Sequence, residues 1–210
     1  MVRTGRQHRM GVGCRACPPH TKTLGVTTQV MRRVVVDTEW TAVPWSAAAE
    51  LLWVGLADET GRSWCGLVSD AHIDPAYQQY VADLLRLITP DVPRLARAEL
   101  AAAVEEFCGR VDEFWAWIPT PESFATWSRL GELAPHTYQK CRDIDLQMLR
   151  SLVKPWPTDW PDDIHDLNAA AVAAGVTPPE RAVNHLHPRV HAEWNRKLLG
   201  LIHAAHKSPG

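Results

Sequence analysis

The segment Arg33-Val34-Val35-Val36-Asp37-Thr38-Glu39-Trp40 constrains this chain more than any other stretch. A run of β-branched residues favours a buried strand, and this one ends in two carboxylates two positions apart. Side chains at i and i+2 of a strand point to the same face, so Asp37 and Glu39 are aimed at one region of space. Like charges held that close repel unless a cation lies between them. Carboxylate oxygens of this kind suit Mg²⁺ or Mn²⁺. The plainer reading, acids that only cap a turn at a strand end, stays open from these residues alone.

At 210 residues the chain is long enough for one domain with a sizeable core. No stretch approaches the run of about 20 apolar residues that a membrane helix needs. Residues 1–36 carry seven Lys/Arg and no acid, which leaves 15 basic and 24 acidic residues, a net of −9, in the remainder. An acidic body argues against a broad nucleic-acid-binding surface and is compatible with an acidic pocket that meets phosphate only through cations. Five cysteines (14, 17, 65, 108 and 141) and no signal-peptide core point to free thiols in a reducing, cytoplasmic setting.

Residues 1–30 are basic and lack hydrophobic periodicity. They read as a disordered extension, as a stretch upstream of a start at Met31, or as a zinc site built from Cys14, Cys17 and His20 with His8. Those four ligands are packed more tightly than usual zinc modules allow. A domain is expected over residues 31–205, with 206–210 as a tail. Within it, Val34–Thr38, Glu50–Ala57 and Ser63–Val68 read as three strands of an antiparallel meander, with a hairpin at 58–62. Pro75–Leu87 and Ala96–Val111 show helical periodicity. Glu113–Ile118 is an aromatic strand, Pro121–Leu130 a helix, and Cys141–Ile144 a short strand followed by a helix. Pro155–Pro161 is a loop, and helices close the chain at Leu167–Ala174 and Val190–Ala205. Strands grouped first and alternating with helices later imply a mixed sheet flanked by helices.

Four segments carry a resemblance: Asp37-Thr38-Glu39-Trp40, Phe114-Trp115-Ala116-Trp117-Ile118, Tyr138-Gln139-Lys140-Cys141-Arg142-Asp143 and Ala192-Glu193-Trp194-Asn195-Arg196. Over roughly Met31 to Ile202 the chain resembles the DnaQ-type (DEDD) 3′-5′ exonucleases. Within them it looks most like the small bacterial 3′-5′ exoribonucleases related to the mycobacterial polyadenylate-specific exoribonuclease. The resemblance implies an α/β, ribonuclease-H-like fold with a mixed five-stranded sheet flanked by helices. It also implies hydrolysis of terminal phosphodiesters at the single-stranded 3′ end of RNA, with two divalent cations about 3.5–4 Å apart. Asp37 would bridge both cations, Glu39 would bind one, and Thr38 and Trp40 would touch substrate. No membrane association is expected, and a homodimer is allowed.

The chain departs from the family pattern at three positions. The second-motif Asp falls on Glu122, and the final Asp on His191. The catalytic His falls on Leu186, flanked by His185 and His187, either of which could assist the attacking water. His187 and His191 share a helix face at i, i+4. With Asp37, Glu39 and Glu122 they would suit Mn²⁺ better than Mg²⁺. Asp143 and Asp145 read as weaker candidates, Asp143 pairing with Arg142 or capping a helix. Asp162, Asp163, His165 and Asp166 read as a loop and helix cap, and Trp115 and Trp117 as core residues or base-stacking platforms. Two rival readings are a ribonuclease-H-like module without catalysis that binds RNA or a protein, and a hydrolase of small phosphate esters.

Overall fold

A computed structural model describes residues 31–42, 46–121, 138, 142–181 and 187–207. The expectations for residues 1–30, for Glu122 and most of the helix at 121–130, for Cys141, for His185 and Leu186, and for the last three residues lie outside these. The meander is present: β1 (Arg33–Trp40), β2 (Leu51–Asp58) and β3 (Ser63–Val68) pair antiparallel in sequence order. β5 (Glu113–Ala116) adds to the far side of β1 in parallel, and β6 (Ile164–Asp166) adds in parallel to β5. With β4 (Arg94–Leu95) on the outer edge of β3, the mixed sheet flanked by helices expected of a ribonuclease-H-like domain is therefore present, in the order β4-β3-β2-β1-β5-β6.

It has six strands where five were expected. The addition is β4, two residues that pair with Leu67 and Val68, too short to leave any periodicity in the sequence. The expected strand at Cys141–Ile144 is corrected too. Asp143 is the N-cap of helix α3 (Ile144–Leu152), and the outer strand position is taken by β6, from a stretch read as loop. Asp166 does cap the following helix α4 (Leu167–Ala173), accepting from the Asn168 and Ala169 amides at 2.8 and 3.1 Å.

Alternation along β1 divides the core between the two faces of the sheet. Val34, Val36 and Trp40 face α2 (Arg97–Cys108) and α3, packing with Leu100, Val104, Phe114 and Leu149. Val35 faces α4 and the long last helix α5 (Pro188–Lys207), packing with Leu167, Leu198 and Ile202. A third cluster, around Trp53, Leu67, Val81 and Leu84, seats α1 (Gln78–Leu85) against β2 and β3. Full burial of each such side chain stabilises the fold by about 1.5–3 kcal/mol. Asp37 and Glu39 lie on the α5 face of β1 as its odd-numbered residues. Cys65 and Cys108, the described cysteines, are buried free thiols. No helix among the described residues is long and apolar enough to cross a membrane.

The β2–β3 turn is organised by Asp58, which is 1% exposed. Its carboxylate accepts from Thr60 N and Oγ1 (3.0 and 2.6 Å) and from Arg62 Nε (2.7 Å). Burial alone would push its pKa up, but Thr60 and Arg62 hold it below the ordinary aspartate range. A depressed folded value means the stabilisation is present above the unfolded pKa of about 3.9 and is lost as pH falls through the folded value. Asp58→Asn is expected to cost about 1–3 kcal/mol at pH 7 and to flatten the acid limb of stability. Urea melts at pH 7 and pH 3 measure both, and an identical loss on acidification in parent and variant would refute the assignment.

Candidate functional site

β1 carries its acids to the end of the strand nearest the start of α5. His191, one turn into α5, meets Asp37 there: Nδ1 lies 2.5 Å from Asp37 Oδ1 across 154 positions of sequence. This approach is possible because Gly55, the cross-strand partner of Asp37, has no side chain. A Cβ at Gly55 would lie 2.2 Å from the Pro188 carbonyl oxygen. The mid-strand glycine marks a close approach of backbone, as isolated strand glycines often do.

The even-numbered residues of the first motif do something different from what the resemblance implied. Thr38 and Trp40 were expected to touch substrate, but they are 3% and 8% exposed and serve a neighbouring carboxylate. Trp40 Nε1 donates to Thr38 Oγ1 at 3.0 Å. The Thr38 hydroxyl and amide both donate to Asp145 Oδ1, at 2.6 and 2.8 Å. Strand alternation thus gives the motif two jobs. Asp37 and Glu39 present charge, while Thr38 and Trp40 fix a third acid arriving from α3.

Asp145 is the residue that sequence reasoning ranked among the weaker candidates. It sits in the first turn of α3, at i relative to Leu149 (i+4) and Leu152 (i+7), both buried. An acid on the apolar stripe of a helix is the signal that could have singled it out. Its pKa is pushed up to about 7, by burial first and then by the Asp37 charge, against the Thr38 hydrogen bonds. Glu39 is pushed well above the ordinary carboxylate range by burial, by Asp37 and by Asp145. The buried Tyr80 hydroxyl faces Glu39, and burial together with that charge raises it beyond the ordinary phenol range. Burial opposes a charge on His191, but the Asp37 carboxylate outweighs it and holds the imidazolium above the ordinary histidine range.

His187 does not join this group. It is 4% exposed, and its Nε2 lies 3.3 Å from Thr89 Oγ1, with Arg189, Asp91 and Glu193 as its charged neighbours. The i, i+4 spacing predicted a shared face, but His187 precedes the first residue of α5, so its ring leaves in another direction. Of the sequence-predicted site residues, Asp37, Glu39 and His191 are brought together, Thr38 and Trp40 hold Asp145 instead of substrate, and His187 stands apart.

Among the described residues no three His, Cys, Asp or Glu side chains are already gathered so as to hold a metal ion. The donor chemistry nonetheless fits a divalent cation. The Asp37 charge raises the pKa of both Glu39 and Asp145, and Asp37 Oδ2 and His191 Nε2 are buried without a hydrogen-bond partner. His191 keeps Nε2 free as a donor atom while its Nδ1 bonds Asp37, the carboxylate–histidine arrangement common at metal sites.

Fold and site together define an α/β domain with a buried acidic cluster at the end of its first strand. No family model matches the sequence, and no curated protein does. Among solved structures, the chain is similar to the RNase domain of the yeast Pop2 protein, known from an X-ray structure. The TM-score is 0.47 and the identity 12%, over 83% of this chain and 76% of that one.

Proposed function

We propose that this protein is a divalent-cation-dependent phosphodiester hydrolase of the 3′-5′ exonuclease type, acting on single-stranded RNA. The observation that carries the reading is the junction of first strand and last helix: Asp37 bonded to His191, with Glu39 and Asp145 beside it. Nothing in local secondary structure requires acids from β1 and α3 and an imidazole from α5 to share one buried spot. Clusters of mutually perturbed acids are typical of active sites.

In this reading Asp37 presents its unpartnered Oδ2 to the reacting centre. Glu39 and Asp145 supply further negative charge, and Thr38 and Trp40 hold Asp145 in place. His191 stands where the resemblance implies a carboxylate and orients Asp37. A divalent cation bound there, Mn²⁺ rather than Mg²⁺, would neutralise the acids and polarise the scissile phosphate. Glu122 and His185, outside the described residues, keep the roles of fourth acid and water-assisting imidazole that the resemblance implies. The preference for RNA rests on the resemblance.

A second reading, a module without catalysis, is favoured by one observation: the His191 ring already engages Asp37 where an acid was expected. One assay separates the two. A 5′-labelled single-stranded oligoribonucleotide, incubated with the protein and Mn²⁺ or Mg²⁺, is expected to shorten one nucleotide at a time from its 3′ end, and to stay intact with a chelator. An intact strand with either cation, at protein in molar excess, would leave the binding module as the function.

A further inference from the structure

Arg181 lies on the rim of the acidic cluster and is held in an unusual way. Its guanidinium stands over two indole rings, 4.9 Å from the centre of Trp194 and 5.2 Å from that of Trp117. Those rings meet edge to face at 5.2 Å. Trp194 Nε1 also donates to the Pro179 carbonyl at 2.9 Å, so one indole fixes both the Arg181 side chain and the backbone two residues before it. Trp194 also stacks near His191, the ring that bonds Asp37, at 5.9 Å. Arg181 is exposed and feels the charge of Asp37 and His191, yet no described carboxylate lies within 4.0 Å of it.

An arginine beside three acids would ordinarily pair with one of them in a fork. Here stacking on the indoles holds the guanidinium plane and leaves its in-plane N–H groups for something else. The described body of the chain is acidic, so a phosphate approaching Asp37, Glu39 and Asp145 meets repulsion that a fixed cation on the rim would offset. Pre-organisation by two rings also lowers the entropy lost when a long side chain engages a ligand.

The geometry points to Arg181 as a phosphate-binding residue that seats a phosphate of the nucleic-acid strand next to the bond being cleaved, with Trp117 and Trp194 as its cradle. This rests on the phosphodiesterase reading above for the identity of the ligand. The plainer alternative is a latch, in which Arg181 only ties residues 179–181 to α5.

The test compares Arg181→Gln and Arg181→Lys with the parent. Arg181→Gln is expected to raise KM for the oligoribonucleotide about tenfold with a smaller change in kcat and an unchanged Tm. Measured by anisotropy in the Asp37→Asn background with Mn²⁺, it should weaken binding about tenfold. The slope of log Kd against log salt should fall by about 0.7, one single-strand phosphate contact. Arg181→Lys, keeping charge but losing the fork, should recover only part of KM. An unchanged KM, Kd and salt slope, or a fall in Tm with kcat lost in proportion, would overturn the proposal in favour of the latch. If the parent cleaves nothing, the subsite is read separately by titrating a 5′-phosphorylated diuridylate and following the Trp194 indole N–H by NMR. Shifts in the parent that vanish in Arg181→Gln keep the subsite although the hydrolase reading has failed. No shift in the parent removes the subsite as well.

Discussion

An Asp37→Asn protein is expected to lose cleavage by a factor on the order of a thousand or more in kcat while melting within about 4 °C of the parent. The loss follows from chemistry: removing one charge-bearing group that acts on the transition state costs about 10²–10³, and groups acting as a unit lose nearly everything together. The stability forecast follows from two opposed effects. Asparagine keeps an oxygen to accept from His191 Nδ1–H but loses the charge assistance of that 2.5 Å bond, which destabilises. It also removes a negative charge that pushes up both Glu39 and Asp145, which stabilises. A residual change of about 1 kcal/mol corresponds to about 2–4 °C for a chain of this size. Calorimetry adds a second readout. A ligand at a hundred times its Kd stabilises by about 2.7 kcal/mol, so Mn²⁺ should raise the Tm of the parent at neutral pH and do little for the variant. Activity within tenfold of the parent, or an equal Mn²⁺ response, would remove Asp37 from the reacting centre.

Gly55→Ala is expected to be as damaging through structure alone. The added Cβ would sit 2.2 Å from the Pro188 carbonyl oxygen and 2.6 Å from its carbonyl carbon. Both are backbone atoms at the first residue of α5, so no side-chain rotation relieves the clash, and the helix or β2 must move by more than an ångström. α5 supplies Trp194, Leu198, Leu199 and Ile202 to the core cluster around Val35, so the displacement is felt along its length. A loss of about 3–5 kcal/mol is expected, in the class of severe overpacking. Folded protein should still be slow, because His191 lies one turn beyond Pro188 and a shift of about 1 Å at a site costs about 10²-fold. Gly200→Ala serves as the control: nothing lies within 4 Å of its Cβ, and a helix-interior Gly→Ala change should stabilise by about 0.5–1 kcal/mol. A Gly55→Ala protein that melts and cleaves like the parent would mean that α5 does not lie this close to β2.

Much of the architecture was legible residue by residue. β1 to β3 and the long last helix announce themselves because their periods, 2 and 3.6, are local properties of the chain. What escaped is what carries too little local signal. β4 is two residues long and β6 three, and both exist only because a sheet edge offers hydrogen-bond partners. His187 looked like a site residue by spacing to His191, but spacing implies a shared face only where both residues are in the helix.

By itself the sequence determined that two acids share one face of a buried strand, because side-chain direction along a strand depends on nothing beyond the strand. Only the tertiary structure decided their company. Asp145 enters from 107 residues away through Thr38, His191 from 154 residues away past Gly55, and Arg181 comes to rest on two indoles. Such meetings depend on how helices pack on a sheet, and packing is a property of shapes and distances that adjacency in the chain does not encode.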